Sequence, residues 1–349
     1  MIKEGILIFR KPSGITSNDC IYRMRRATGL RKIGHTGTLD PMAEGVLPLC
    51  VGSAARITEY LDLDFKRYRC SMLLGVTTDT LDTQGEILED KRAELARAFS
   101  EGRGFTESDV KNAFAPMNGY ISQFPPKYSA VRIAGRRLYD YARAGDEVEI
   151  KPRRVYIKSI ENIACDFADP HRLIISFDVC CSKGTYIRTI CHDVGNSLGC
   201  GAAMCALTRT ASGRFSIDDA VSADELARIT ALPLEEREAA INALLLEPDY
   251  PLTHFGKAVV SHEIGHKFCD GWHLSLRDAK VTREPEFAGG GGELDMRPEY
   301  REAYNIYMQP ASEAAQGVAG EIFLGVAFYN HRYKKLVADK IFYKGFLKK

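Results

Sequence analysis

Short apolar runs separated by glycine- and proline-marked turns set the texture of the chain. Residues 6–9 read as a strand, and Ser17 or Asn18 can cap a helix running to about Ala27. The run Gly45-Val46-Leu47-Pro48-Leu49-Cys50-Val51 predicts a strand over 46–51, with a helix over about 54–61 behind it. Residues 67–74 alternate well enough for another strand. Helices are expected over 108–114 and over 136–144, the second stopped at Gly145. Strands follow near 155–167 and 172–180, then helical spacing over 185–198 ended by Gly199. Short strands and helices without strict alternation predict an α+β fold with a mixed, largely antiparallel sheet.

Beyond Phe215 the texture changes. Residues 223–229 and 233–246 look helical and acidic, which suits a linker over 216–250. Within 251–349, the segments 258–274 and 320–343 predict a small β-rich module, with strands at 324–328 and 335–338. Between them, 280–316 holds Gly289-Gly290-Gly291-Gly292 and few apolar residues, and reads as a flexible insertion with no assigned role.

At 349 residues the chain is long for one domain and comfortable for two. Its 45% hydrophobic and 27% charged residues are those of an ordinary globular protein. No apolar run approaches the ~20 residues of a membrane span. The first ten residues lack the basic leader and cleavage site of a signal peptide, so a cytoplasmic location is expected.

The formal net charge of +1 hides an asymmetry: residues 1–215 hold 31 Lys+Arg against 25 Asp+Glu, the remainder 16 against 21. Arg23, Arg25, Arg26, Arg31 and Lys32 fall within ten residues. Any one of them suits a solvated helix face; together they suggest phosphate contact. The ten cysteines form no CxxC pair and read as reduced, largely buried thiols. Cys180, Cys181, Cys191, Cys200 and Cys205 with His192 match no familiar zinc spacing.

The chemistry concentrates in Gly34-His35-Thr36-Gly37-Thr38-Leu39-Asp40-Pro41. Pro41 biases Asp40 towards an extended backbone, so its carboxylate is displayed from a stiff loop. With Lys11-Pro12-Ser13-Gly14-Ile15-Thr16-Ser17 upstream, this segment closely resembles the tRNA pseudouridine synthases of the TruB family. The resemblance continues through Lys66-Arg67-Tyr68-Arg69, Leu74-Gly75, Thr78-Asp79-Thr80 and Asp82. It resumes at Pro125-Pro126-Lys127-Tyr128-Ser129-Ala130-Val131 and over 135–145, then at Cys181-Ser182-Lys183-Gly184-Thr185-Tyr186-Ile187-Arg188. Leu207-Thr208-Arg209-Thr210 with Gly213 and Phe215 closes the series, and little of it extends beyond. The family often carries paired arginines after the leucine, where this chain has Thr208 and Arg209.

The resemblance implies an RNA isomerase that converts the T-loop uridine of tRNA, position 55 in standard numbering, to pseudouridine after flipping it out. Redox and phosphate-donor steps are absent from that reaction, so neither cofactor nor metal is expected. Asp40 is the implied nucleophile, or the base that takes a sugar proton. Arg188 is its implied partner, holding the carboxyl's pKa down and its orientation fixed. Tyr68 would stack on the uracil and serve proton transfer, with Leu207 packing on the other side. His35 would fill the vacated space, Lys183 and Tyr186 would line the site, and Lys11 would act through a structural contact. The implied partner is the tRNA T-arm stem-loop, the C-terminal module resembles a PUA-like RNA-binding unit, and a monomer without an obligatory protein partner is expected.

Two other classes compete with this reading. His262-Glu263-Ile264-Gly265-His266 is an H-E-x-x-H string, which on a helix puts two zinc ligands on one face. Gly265 weakens such a helix, and the third-ligand candidates Glu284 and Glu286 fall in the expected insertion. A non-catalytic RNA-binding or RNA-folding protein on the same scaffold is disfavoured by the joint presence of Asp40, Tyr68 and Arg188.

Overall fold

The chain runs β1 (Gly5–Lys11), α1 (Ser17–Thr28), β2 (Ile33–His35), β3 (Glu44–Val51), a 3-10 helix over Gly52–Leu63, and β4 (Lys66–Leu74). A hairpin of β5 (Val76–Thr78) and β6 (Ile87–Asp90), helices α2 (Arg92–Ser100) and α3 (Glu107–Phe114), and β7 (Gly119–Gln123) follow. A second hairpin, β8 (Arg132–Ile133) and β9 (Arg136–Arg137), leads into α4 (Leu138–Ala144). Then come β10 (Arg153–Asp166), β11 (Ile174–Cys181), α5 (Ile187–Ser197), β12 (Ala202–Ser212) and β13 (Phe215–Ser216). The computed structural model describes residues 1–63, 65–286, 297–310, 320–343 and 345.

The larger sheet has the order β1-β3-β12-β4-β11-β10-β7, with β2 on β3 and β13 on β12. Its pairings are antiparallel except β3–β12, where Thr208 and Arg209 lie beside Glu44 and Gly45. This is the mixed, largely antiparallel sheet of an α+β fold. Strand β12 lies inside the sheet although the sequence pattern predicts no strand over 202–212. It carries Arg209 and alternates too irregularly to read as a half-buried strand.

Helix α1 begins one residue before the expected caps, in a capping box between Thr16 and Asp19, and ends at Gly29 in the left-handed region. Ser17 is thereby freed for another contact. Helix α4 starts at Leu138 because Arg136 and Arg137 pair with β8. The expected helix over 54–61 is 3-10 in hydrogen bonding.

Strands β1 and β3 are buried on both faces, which explains their unbroken apolar runs. Leu7, Phe9, Leu47 and Leu49 enter one core with α1, α5 and the rest of the sheet. Ile6, Ile8, Val46 and Cys50, one position out of phase, enter a second core. That second core also holds Ile57 and Tyr60 of the 3-10 helix together with Phe255, Tyr300 and Val326 from far along the chain.

The C-terminal part consists of α6 (Ala223–Thr230), α7 (Leu234–Leu244), β14 (Gly256–Val260), α8 (His262–Cys269), β15 (Leu274–Ser275), β16 (Ala279–Arg283), β17 (Ala303–Met308), β18 (Ile322–Asn330) and β19 (Lys335–Ile341). Its strands make a second sheet in the order β15-β19-β18-β17-β14-β16. The expected insertion over 280–316 is corrected in part: β16 reaches Arg283, and β17 is an inner, largely buried strand. Gly289 to Gly292 lie outside the described residues.

This second sheet is joined to the first by packing and polar contacts. The Tyr60 ring meets Phe255 at 5.4 Å and Tyr300 at 5.8 Å, both edge-on, and the Tyr300 hydroxyl donates to the Glu59 carbonyl at 3.1 Å. Tyr60 itself donates to Asp339. Ile6 and Leu246 exchange backbone hydrogen bonds at 2.8 and 2.9 Å, so the segment after α7 extends the β1 edge.

Candidate functional site

The loop carrying Asp40 leaves β2 and enters β3, and three buried groups fix it. Lys11 is fully buried, and its Nζ donates to the carbonyls of Pro12 (3.1 Å), Pro41 (3.0 Å) and Ala43 (2.6 Å). Burial pushes its ammonium below the ordinary lysine value. Ser17 Oγ donates to the Leu39 carbonyl at 3.2 Å and accepts from the Leu39 amide at 2.9 Å, tying the loop to the first turn of α1. Arg209 donates from Nη2 to the Gly37 carbonyl at 3.1 Å and from Nε to the Val46 carbonyl at 2.6 Å. Gly45 permits this crossing: a Cβ there, at φ 104°, would lie 2.2 Å from the Arg209 carbonyl oxygen.

Arg188 stands on the first turn of α5 and is 4% exposed. Its guanidinium grips Asp40 with Nε at 2.9 Å from Oδ2 and Nη2 at 3.2 Å from Oδ1, the two-point geometry of a planar fork on a carboxylate. Nη1 donates to the Thr80 carbonyl at 2.8 Å, and Nη2 also donates to the Tyr128 carbonyl at 3.0 Å. Asp82 lies 3.7 Å from Nη1 and is itself held by Thr80 Oγ1 and the Gln84 amide. Every donor of Arg188 that faces the site is thus committed, and Asp40 has one rigid orientation.

Asp40 keeps 35% of its side chain exposed beside this buried cation. Burial pushes its carboxyl above the ordinary value; the Arg188 charge opposes the rise and Asp82 adds to it. The expectation of a depressed value is therefore corrected, because loss of water outweighs the ion pair.

Tyr68, on β4, is buried and opposite Arg209 in register; burial raises its phenol, and the charge of Arg209 opposes that. Leu207 is two residues earlier on β12 and buried in the same core as Tyr68. His35, at the end of β2, accepts from the Gly37 amide at Nδ1 (3.2 Å), and burial lowers its pKa so that it stays neutral. Tyr186 precedes α5, its backbone held by Gln123 at 3.0 and 3.3 Å. Lys183 is exposed in the turn before it.

Arg209 and Asp82 are the groups that residue-by-residue reasoning missed. Arg209 is 1% exposed, lies opposite Tyr68 in register and holds the Asp40 loop, while Thr208 uses its hydroxyl on Glu44 at 3.1 Å. The departure from paired arginines leaves the buried support in place. An arginine inside a strand of small and apolar residues was the available signal, since a buried guanidinium needs several acceptors.

The H-E-x-x-H segment does form helix α8, capped by Ser261. The helix forms despite Gly265, and its neighbours crowd that position: a Cβ would lie 2.8 Å from Met308 Sδ. The His262 and His266 rings meet at 4.9 Å, but Glu263 is paired with Lys267 at 2.7 Å and Glu284 accepts from Tyr304. Among the described residues no three His, Cys, Asp or Glu side chains are grouped to hold a metal ion, and no helix is long and apolar enough to cross a membrane.

Residues 25–187 match the family model for the TruB family pseudouridylate synthase N-terminal domain, and 188–253 match that for the tRNA pseudouridylate synthase B C-terminal domain. The chain is 40% identical to the tRNA pseudouridine synthase B of Alkaliphilus oremlandii over 270 residues, 77% of this chain and 82% of that one. It is 35% identical to the Bacillus pumilus protein of the same name over 90% of this chain and 98% of that one. Among solved structures, an H/ACA RNP bound to a substrate RNA containing 2'-deoxyuridine is similar at a TM-score of 0.63. The match has 18% identity and covers 97% of this chain and 85% of that one. The archaeal box H/ACA sRNP Nop10-Cbf5 complex gives the same score at 19% identity, covering 97% and 85%. At these identities the structures share the fold.

Proposed function

The chain belongs to the TruB family and is an RNA pseudouridine synthase, and from that premise we propose that it isomerises the T-loop uridine of tRNA, position 55, using Asp40 and no cofactor. The reaction breaks the bond from C1′ of the ribose to N1 of uracil, turns the base, and joins C1′ to C5. The C5 proton is lost and N1 gains one, so the change is an isomerisation. Its two demands on the protein are a carboxylate aimed at the sugar and a pocket that keeps the freed uracil.

The observation that carries this reading is the two-point Arg188–Asp40 pair at 2.9 and 3.2 Å in an immobilised loop. Arg188 supplies the positive charge that lets Asp40 act ionised despite burial, and it removes rotational freedom from the carboxylate before substrate arrives. In this reading Asp40 attacks C1′ or takes the sugar proton. Tyr68 stacks on the uracil and assists proton transfer, and Leu207 closes the other face. His35, neutral and half-buried, fills the gap left by the flipped base, with Tyr186 and Lys183 at the rim. Lys11 holds the loop and touches no substrate. The basic first 215 residues bind the T-arm, and the C-terminal sheet acts as a PUA-like RNA-binding module in a monomer of the cytoplasm.

The test is to map pseudouridine in cellular tRNA with and without the protein, and to assay Asp40→Asn on a tRNA transcript. The amide keeps the shape of the carboxylate without its charge, so turnover should vanish while RNA binding persists. Turnover near that of the unaltered protein would sink the assignment of Asp40.

A further inference from the structure

The first helix carries a charged surface that the reaction described above leaves unused. Ser17, Cys20, Met24 and Ala27 form the buried side of α1, which leaves Asn18, Tyr22 and Arg26 along the opposite crest, with Arg23 and Arg25 on its flanks. Tyr22 is 62% exposed. Past the Gly29 cap, Arg31 and Lys32 continue the exposed run up to β2. Among the described residues none of these five cations forms an ion pair; Arg25 donates only to the Arg31 carbonyl, at 3.0 Å. Asp19, on the same helix, is engaged in the capping box with Thr16.

The surface is fixed to the catalytic loop at its start and to the end of β3 at its far end. At its start, Ser17 is hydrogen-bonded to Leu39, next to Asp40. At its far end, the Lys32 carbonyl accepts from Gly52, and three residues on is His35. Arg26 is nine residues from Ser17, about 14 Å along the helix axis. Five exposed cations without an ion pair, on the helix that anchors the catalytic loop and the segment after it, complement a polyanion strand that passes the site.

We propose that this face of α1 is a docking track for the sugar–phosphate backbone of the substrate RNA, with Arg23, Arg26, Arg31 and Lys32 on phosphates and Tyr22 against a ribose. The proposal rests on the RNA substrate argued above. It gives the surface a role in capture and registration of the strand and none in the chemical step.

The test uses the full chain with Arg23, Arg26 and Lys32 all changed to Gln, and a second variant with Arg97, Arg103 and Lys111 changed to Gln as a charge-matched control. Binding of a tRNA transcript is titrated across salt concentrations, and turnover is measured separately at saturating RNA. Each lost phosphate contact should lower the slope of log affinity against log salt by ~0.7–0.9, so the α1 variant should lose about two to three units. Its turnover at saturation should stay that of the unaltered protein, and the control should keep the full slope. Equal slopes for the α1 variant and the unaltered protein, or an equal loss in the control, would overturn the proposal. A lost slope in a protein that never forms pseudouridine would support the track and refute the functional reading instead.

Discussion

Replacing Arg188 with Lys keeps the positive charge and removes the fork, so it isolates what geometry contributes. Arg188 makes two hydrogen bonds to Asp40, at 2.9 and 3.2 Å, and donates to the Thr80 and Tyr128 carbonyls at 2.8 and 3.0 Å. A lysine has one nitrogen on a flexible stem and cannot reach both carboxylate oxygens and both carbonyls. Losing one arm of a charged hydrogen bond costs ~1.5–3 kcal/mol, and each carbonyl left without a donor costs ~1–3 kcal/mol. If most of the first loss falls on the transition state, turnover drops by ~10- to 10²-fold, the upper end being the equivalent of ~2.7 kcal/mol. The second loss should appear as a lower unfolding free energy, by about 2 kcal/mol or more. Single-turnover formation of pseudouridine on a tRNA transcript, quantified by mass spectrometry, reads the first; denaturant titration reads the second; filter binding reads affinity, which should hardly move. A variant that turned over normally but bound RNA poorly would make Arg188 a phosphate contact and refute the pairing argument.

Two further outcomes follow from the same geometry. Asp40 must be ionised to act, and its carboxyl lies above the ordinary 3.8, so the acid limb of kcat/KM should lie above that pH. Activity is lost as pH falls through the raised value; Asp82→Asn removes a neighbouring negative charge and should move the limb to lower pH, and an upward move would refute the charge argument. A chain ending at Ala231 should fail to fold, contrary to the independence that a linker over 216–250 suggests. It uncovers Ile6, Ile8, Val46 and Tyr60 at ~1.5–3 kcal/mol each, together comparable with the stability of a whole domain. A soluble 1–231 chain with a cooperative unfolding transition would refute this.

The elements that were legible in the chain are those governed by local rules. The β1 and β4 patterns, the αL stop at Gly145, and the stiff Asp40-Pro41 loop follow from side-chain period and backbone sterics. The order of the motifs placed Asp40 and Arg188 together by resemblance, although they are 148 positions apart. Tertiary structure alone decided what depends on partners distant along the chain. Thr208 and Arg209 are adjacent and polar, yet one faces Glu44 at the surface and the other is sealed under the catalytic loop. Gly265 reads as a weak point in a helix, yet the helix forms with Met308 and Leu324 packed close against that position. Asp40 beside an arginine suggested a depressed carboxyl, but the depth of burial around the pair reversed the balance. The unbroken apolar runs of β1 and β3 fit strands buried on both faces without showing against what. Half of that answer comes from Phe255, Tyr300 and Val326, because periodicity records only that a face leaves water and three-dimensional packing chooses what covers it.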